Sequence, residues 1–204
     1  MNRRAPAGGW MIAAACLAVA AAGCGRPGSP PAGSPFPGLE QVVAAGETTL
    51  LARRLPPEAA APQSSGDDGG LLIAVVRMAD GHEEMRVAAS DNGRYAVRHA
   101  SRAGDEFRNL VVEDVNADGH PEIVSRWLGG QLDVVEVLAR AAGGDWKPIL
   151  QNAGQSVEER RRPDQSIGFW ITSRTYEEGV GLPPVFETRV WRWDGSAFTE
   201  EATP

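Results

Sequence analysis

Short apolar runs separated by turn signals occupy the chain from Leu71 to its end. Many of these runs alternate apolar with polar residues, and none continues with the 3.6-residue period of a long amphipathic helix. Asn92-Gly93 and Asp194-Gly195 favour tight turns, because Asn and Gly tolerate a positive φ. The runs are 71–78, 85–89, 95–99, 107–113, 123–128, 132–138, 146–150, 167–172, 185–193 and 197–198. This pattern predicts an all-β fold, an antiparallel meander of repeat type with blades like those of a propeller.

The N-terminus has the pattern of an export signal rather than of a folded segment. Arg3 and Arg4 precede an apolar stretch, residues 10–22, that is short and rich in Ala. A membrane-spanning helix needs about 20 strongly apolar residues. The stretch ends in Ala21-Ala22-Gly23-Cys24, which resembles the lipobox of bacterial lipoproteins, although Ala stands where that family prefers Leu. The resemblance implies acylation of Cys24 and anchoring to the cell membrane or the outer membrane. The alternative is an ordinary secretory signal in which Cys24 has no role.

Two linkers set the expected domain organisation. A run rich in Pro, Gly and Ser follows Cys24 and predicts an extended tether. A second run rich in Pro, Ala, Ser, Asp and Gly precedes Leu71, and the apolar segment between the two fits either a helix or a strand. The expected parts are a signal peptide at 1–23, a tether at 24–38, a short apolar segment with a linker at 39–70, and a β-rich domain at 71–204. The domain is expected in the periplasm or on the cell surface.

Cysteine usage and charge narrow the class of protein. Cys16 lies in the predicted signal and Cys24 at the lipidation position, so no Cys is left for a disulfide in the mature domain. The formal net charge is −7, and it becomes −9 without Arg3 and Arg4. An acidic chain argues against nucleic acid as a partner and against an electrostatic membrane-binding face. Stability must therefore come from an apolar core or from a bound ion.

One loop, from Asp114 to Glu122, has a pattern that points to chemistry. Oxygen-bearing side chains stand at its positions 1, 3, 5 and 9, and Gly119 stands at position 6, where it permits a sharp reversal of the chain. Ca²⁺ prefers six to eight oxygen ligands, and alternate residues of a tightly curled loop can converge on one point. The alternative is a solvated turn without an ion, since Asn and Asp favour such turns on their own.

The loop resembles the calcium loops of FG-GAP and VCBS-type repeats, which are also found in integrin α propellers. An EF-hand would need a bidentate Glu at position 12, where this chain has Ser125, and helices where 107–113 and 123–128 look like strands. The resemblance covers about residues 107–138 and implies a structural Ca²⁺. The implied ligands are the side chains of Asp114, Asn116, Asp118 and Glu122 and the backbone carbonyl of His120.

A weak internal repeat accompanies this loop. Ala117-Asp118-Gly119-His120 has an earlier copy in Ala79-Asp80-Gly81-His82, and a Glu follows two residues after the His in both. The spacing is compatible with a repeated β-sheet unit, or with chance. Val76 and Met78 stand where the earlier copy would need its first two ligands, so no metal is expected there.

These features favour a calcium-stabilised binding or scaffold module at the cell envelope, with a protein or carbohydrate ligand. The chain has no H-E-x-x-H or G-x-S-x-G motif, and we expect no enzymatic activity. An envelope hydrolase or its accessory domain, and a structural lipoprotein without metal, remain as alternatives. Trp191 and Trp193 lie on one strand face, where core packing is favoured over a sugar-binding platform.

Overall fold

The computed structural model describes residues 36–55, 70–141, 144–175 and 183–201. The predicted signal peptide, Cys24 and most of the tether lie outside the described residues. The described part is 65% strand and 2% helix, which confirms the predicted all-β class. None of its helices is long and apolar enough to cross a membrane.

Twelve strands of the described residues form three four-stranded antiparallel sheets, and the strands of each sheet follow one another along the chain. Sheet A contains β1 (Thr48–Leu55), β2 (Leu71–Arg77), β3 (Glu83–Asp91) and β4 (Arg94–Ser101). Sheet B contains β5 (Glu106–Glu113), β6 (Glu122–Gly129), β7 (Leu132–Arg140) and β8 (Trp146–Gly154). Sheet C contains β9 (Ser156–Arg161), β10 (Ile167–Thr175), β11 (Val185–Trp193) and β12 (Phe198–Glu201). The predicted antiparallel meander is therefore confirmed.

Sheet A begins before the domain boundary that the sequence predicts. β1 pairs with β2 from Leu55 opposite Leu71 to Thr48 opposite Arg77, so folded structure lies on both sides of the expected start at residue 71. The segment that fitted either a helix or a strand contains both, a single 3₁₀ turn at Leu39–Gln41 and strand β1. A strand whose partner follows a Pro- and Gly-rich linker shows no local sign of that pairing.

Strand β2 of sheet A is buried on both faces. Leu71, Ile73 and Val75 of β2 face sheet B, whereas the alternate residues of this strand face a segment N-terminal to β1. That segment contributes Phe36, Leu39, Val42 and Val43. Arg86 fixes it in place through ion pairing with Glu47 at 2.7 Å and a hydrogen bond to the carbonyl of Val42 at 2.6 Å. Two-sided burial explains why β2 reads as a continuous apolar run.

Sheet B lies between the other two sheets. Alternation along β6 sends Ile123 and Trp127 into the core shared with sheet A, and Val124 into the core shared with sheet C. Phe169 and Phe198 of sheet C meet edge to face in the second core, with ring centroids 5.3 Å apart. Trp191 and Trp193 are partly buried against the same core, as the core-packing interpretation expected.

The two copies of Ala-Asp-Gly-His do not occupy equivalent positions. The first lies in the turn between β2 and β3 of sheet A, and the second lies between β5 and β6 of sheet B. The copies are thus in the second and the first hairpin of their respective sheets. The spacing between them is therefore not the spacing of the sheets.

The core between sheets B and C predicts that two Phe residues of sheet C differ greatly in how much stability is lost when each is replaced by Ala. Phe169→Ala should lower the free energy of unfolding by about 3–5 kcal/mol, because Phe169 is 0% exposed. Phe186→Ala removes the same atoms from a residue that is 61% exposed, and it should stay within about 0.5 kcal/mol of the parent. Urea denaturation measures both changes, and equal losses would contradict the assignment of the core.

Candidate metal centre

The Asp114 loop connects two adjacent antiparallel strands. β5 ends at Glu113 and β6 begins at Glu122, and these two residues form the last pair of the ladder before the loop. Strands, not helices, therefore flank the loop, as in the FG-GAP and VCBS-type loops that it resembles. This flanking structure and the position of Ser125 leave no basis for an EF-hand.

Hydrogen bonds from backbone N–H groups hold the loop in a tight curl. The amides of Asp118 and Gly119 donate to the two carboxylate oxygens of Asp114, at 3.2 and 2.9 Å. The amide of His120 donates to Asp118 Oδ1 at 2.8 Å. Gly119 has a φ of 88°, a left-handed conformation that suits the sharp reversal of the chain expected at this position. Ala117 also has a positive φ of 61°, which is less usual for a residue with a side chain.

Two carboxylates of the loop converge on the side chain of Asn116. Its Nδ2 group donates to Asp118 Oδ2 at 2.9 Å and to Glu122 Oε1 at 3.2 Å. Glu122 is 2% exposed and Asn116 is 8% exposed, whereas Asp118 lies at the surface. The second oxygen of Glu122 accepts from the amide of Val115 at 2.9 Å.

The five predicted ligands thus lie in one loop but differ in how far they are exposed to solvent. Asp114 is half-buried, and His120, which was expected to contribute only its carbonyl oxygen, is exposed. Asp114, Asn116, Asp118 and Glu122 are joined to one another through the N–H groups described above. In the described chain, no three His, Cys, Asp or Glu side chains are already arranged to hold a metal ion.

Negative charge is concentrated in this loop. Burial, together with the charges of Asp118 and Asp114, raises the pKa of Glu122 to about 7. The hydrogen bond from the Val115 amide acts in the opposite direction. Within the described ranges, no Arg, Lys or His forms an ion pair with any of the three carboxylates. A bound cation would supply the missing positive charge.

The donor set fits a hard cation. Each carboxylate oxygen has lone pairs beyond those that accept the N–H groups, so Asp114 and Asp118 keep the capacity to bind a metal. The Asn116 amide is the one group that would have to turn, because its NH₂ now faces the carboxylates while Oδ1 accepts the Asp118 amide at 2.9 Å. A cation would replace the two amide protons as the positive partner of Asp118 and Glu122.

Val115 connects the loop to sheet C, a role that the sequence analysis did not assign. Its side chain is fully buried in the core between sheets B and C. Its carbonyl accepts a hydrogen bond from the amide of Ile167, the first residue of β10, at 2.7 Å. The signal that was available is a branched apolar side chain, Val115, next to the first acidic residue of a largely polar loop. The conformation of the loop therefore affects the packing of the third sheet.

A cleft of about 310 Å³ lies elsewhere between sheets B and C. Two acidic residues, Asp133 and Glu159, contribute to its lining. Glu159 forms an ion pair with Arg126 at 2.8 Å.

Comparison with protein-family models, with curated proteins and with solved structures found no match for this chain. The family resemblance therefore rests on the loop residues and on the strands that flank them.

The raised pKa of Glu122 predicts an unusual dependence of stability on pH in the metal-free protein. Because the folded chain holds this proton up to about pH 7 and the unfolded chain releases it near pH 4.5, the stability from this group is full below pH 4.5. This contribution of Glu122 to the free energy of unfolding is lost as the pH rises through 7, and the loss is no more than about 3 kcal/mol.

Chemical denaturation in chelator at pH 4.5 to 8 measures this effect as the difference between the parent and Glu122→Gln. The variant cannot ionise, so subtraction removes the contributions of the other titrating groups. The parent should lose stability relative to the variant as the pH rises. A difference that is independent of pH would show that Glu122 titrates normally in the folded chain.

Proposed function

We propose that this chain is a lipid-anchored cell-envelope protein whose all-β domain is stabilised by Ca²⁺ and acts as a binding or scaffold module. The observation that carries the proposal is the Asp114 loop. None of its three carboxylates has a cationic partner among the described residues, and one of them, Glu122, is 2% exposed. Asp118 and Glu122 both accept from the side chain of Asn116.

Calcium is the cation that this donor set favours. All the candidate ligands are oxygens, which excludes a preference for soft metals. Mg²⁺ demands a near-ideal octahedron, whereas Ca²⁺ accepts a flexible shell of carboxylates, amide and backbone oxygens and water. A mixed set on an exposed loop is typical of extracellular modules, which bind Ca²⁺ in the range of about 10⁻⁴–10⁻³ M.

The ion would have a structural role. Bound Ca²⁺ supplies positive charge that offsets the repulsion among Asp114, Asp118 and Glu122. The Val115 amide and carbonyl connect Glu122 to the start of β10, at 2.9 and 2.7 Å. A firmly held loop would therefore stabilise both the β5–β6 hairpin and the contact between sheets B and C.

The N-terminal sequence supports the location at the envelope. Residues 21–24 resemble a lipobox, and the Pro-, Gly- and Ser-rich run after Cys24 suits a tether that holds a domain away from a membrane. The acidic charge of the chain favours a protein or carbohydrate partner over nucleic acid. The binding or scaffold role is non-enzymatic.

Calcium should raise the melting temperature of the protein relative to EGTA, because the ion binds the folded loop and not the unfolded chain. At a free concentration 100 times the dissociation constant, the gain is about 2.7 kcal/mol. Asp118→Asn keeps the size of the side chain but removes a charged ligand, so most of the shift should be lost.

Asp80→Asn is the matched control for this experiment. Asp80 accepts the amide of His82 at 3.0 Å, just as Asp118 accepts that of His120 at 2.8 Å, so both variants perturb the same kind of turn. The Asp80 variant should keep the full calcium shift. If Asp118→Asn also kept it, the ion would not bind at this loop.

Lipidation predicts a different behaviour for the two Cys residues. Cys24→Ser should abolish the incorporation of labelled palmitate and release the protein from the membrane fraction, because no acyl acceptor remains. Cys16→Ser should leave both unchanged, since Cys16 lies in the predicted signal. Labelling of the Cys24 variant at the parental level would exclude the lipoprotein assignment.

A further inference from the structure

The cleft between sheets B and C has the size and lining of a small-molecule site. Its volume of about 310 Å³ lies at the lower end of the range of about 300–1,000 Å³ that is usual for ligand pockets. Val111 and Val124 of sheet B and Val157 of sheet C provide apolar surface. Asn109, Arg126, Asp133 and Glu159 add polar groups from four different strands.

The polar groups of the cleft keep unused hydrogen-bonding capacity. Arg126 binds Glu159 Oε1 through Nε and Nη2, at 3.1 and 2.8 Å. As far as the described residues show, Arg126 Nη1 and Glu159 Oε2 are left for another partner. Asn109 Oδ1 accepts the amide of Leu110 at 2.7 Å, which leaves its NH₂ group as a donor. No ion pair or side-chain hydrogen bond within the described part of the chain involves the carboxylate of Asp133.

Charge complementarity limits what this cleft can hold. Arg108 and Arg126 are balanced by Asp133 and Glu159, so the lining carries no net charge. Arg126 is already paired with Glu159, and Arg108 is paired with Glu106 at 3.2 Å. A strongly anionic ligand would have to break these pairs. A neutral ligand that both donates and accepts hydrogen bonds would not.

We propose that this cleft binds a neutral saccharide of one or two sugar units. Sugar hydroxyls donate to carboxylates and accept from amide and guanidinium groups, so they match Asp133 and Glu159 on one hand and Asn109 and Arg126 on the other. The C–H face of a pyranose ring matches the Val surface. The proposal names a ligand class for the binding role proposed above and rests on that role, but it does not depend on the calcium loop.

A printed array of neutral and acidic glycans, probed with the full-length chain in detergent, tests the proposal. Neutral glycans should be bound, and Asp133→Ala and Asn109→Ala should each lower the signal at least tenfold. Both residues are exposed, so neither change removes buried packing. Asp145→Ala is the matched control, since Asp145 is an exposed carboxylate that follows the opposite end of β7. It should bind as the parent does.

Three results would overturn the proposal: no glycan bound, acidic glycans alone bound, or binding that survives both substitutions in the cleft. The calcium-dependent melting shift, measured on the same samples, separates this failure from that of the calcium loop. A retained shift with no glycan binding would remove only the saccharide site. Neutral-glycan binding without a shift would remove only the calcium loop.

Discussion

The two-sided burial of sheet B is the constraint on which the rest of the structure depends. Trp127 packs towards sheet A and Val124 towards sheet C, so both faces of β6 contribute to a core. Three four-stranded sheets can then share two cores. The contacts that fix sheet B against sheets A and C therefore stabilise the whole domain.

The Asp114 loop lies at one of these two junctions. Val115 is buried in the core between sheets B and C, and its backbone is bonded to Glu122 on one side and to Ile167 on the other. A polar, negatively charged loop thus carries a buried apolar anchor. Calcium would act on this combination, since neutralising the carboxylates also stabilises the position of Val115. The ion would contribute to tertiary packing as well as to a turn.

The sequence predicted the strand class and the loop because both leave local patterns. Alternation identified most strands, and Gly119 with the spaced oxygens identified the turn and the residues that gather in it. Contacts between distant segments leave no such pattern. The pairing of β1 with β2 across a linker, and the packing of Val42 on sheet A, were therefore missed. The unequal positions of the two Ala-Asp-Gly-His copies became visible only with the strand order.

A crystal structure determined with millimolar Ca²⁺ would show whether the Asp114 loop binds a cation. We expect an ion bound by Asp114, Asn116, Asp118 and Glu122, with the Asn116 amide turned so that its oxygen replaces the NH₂ group that now faces Glu122 at 3.2 Å. A loop with the Asn116 NH₂ group still donating to both carboxylates, and no ion beside it, would exclude calcium binding at this site.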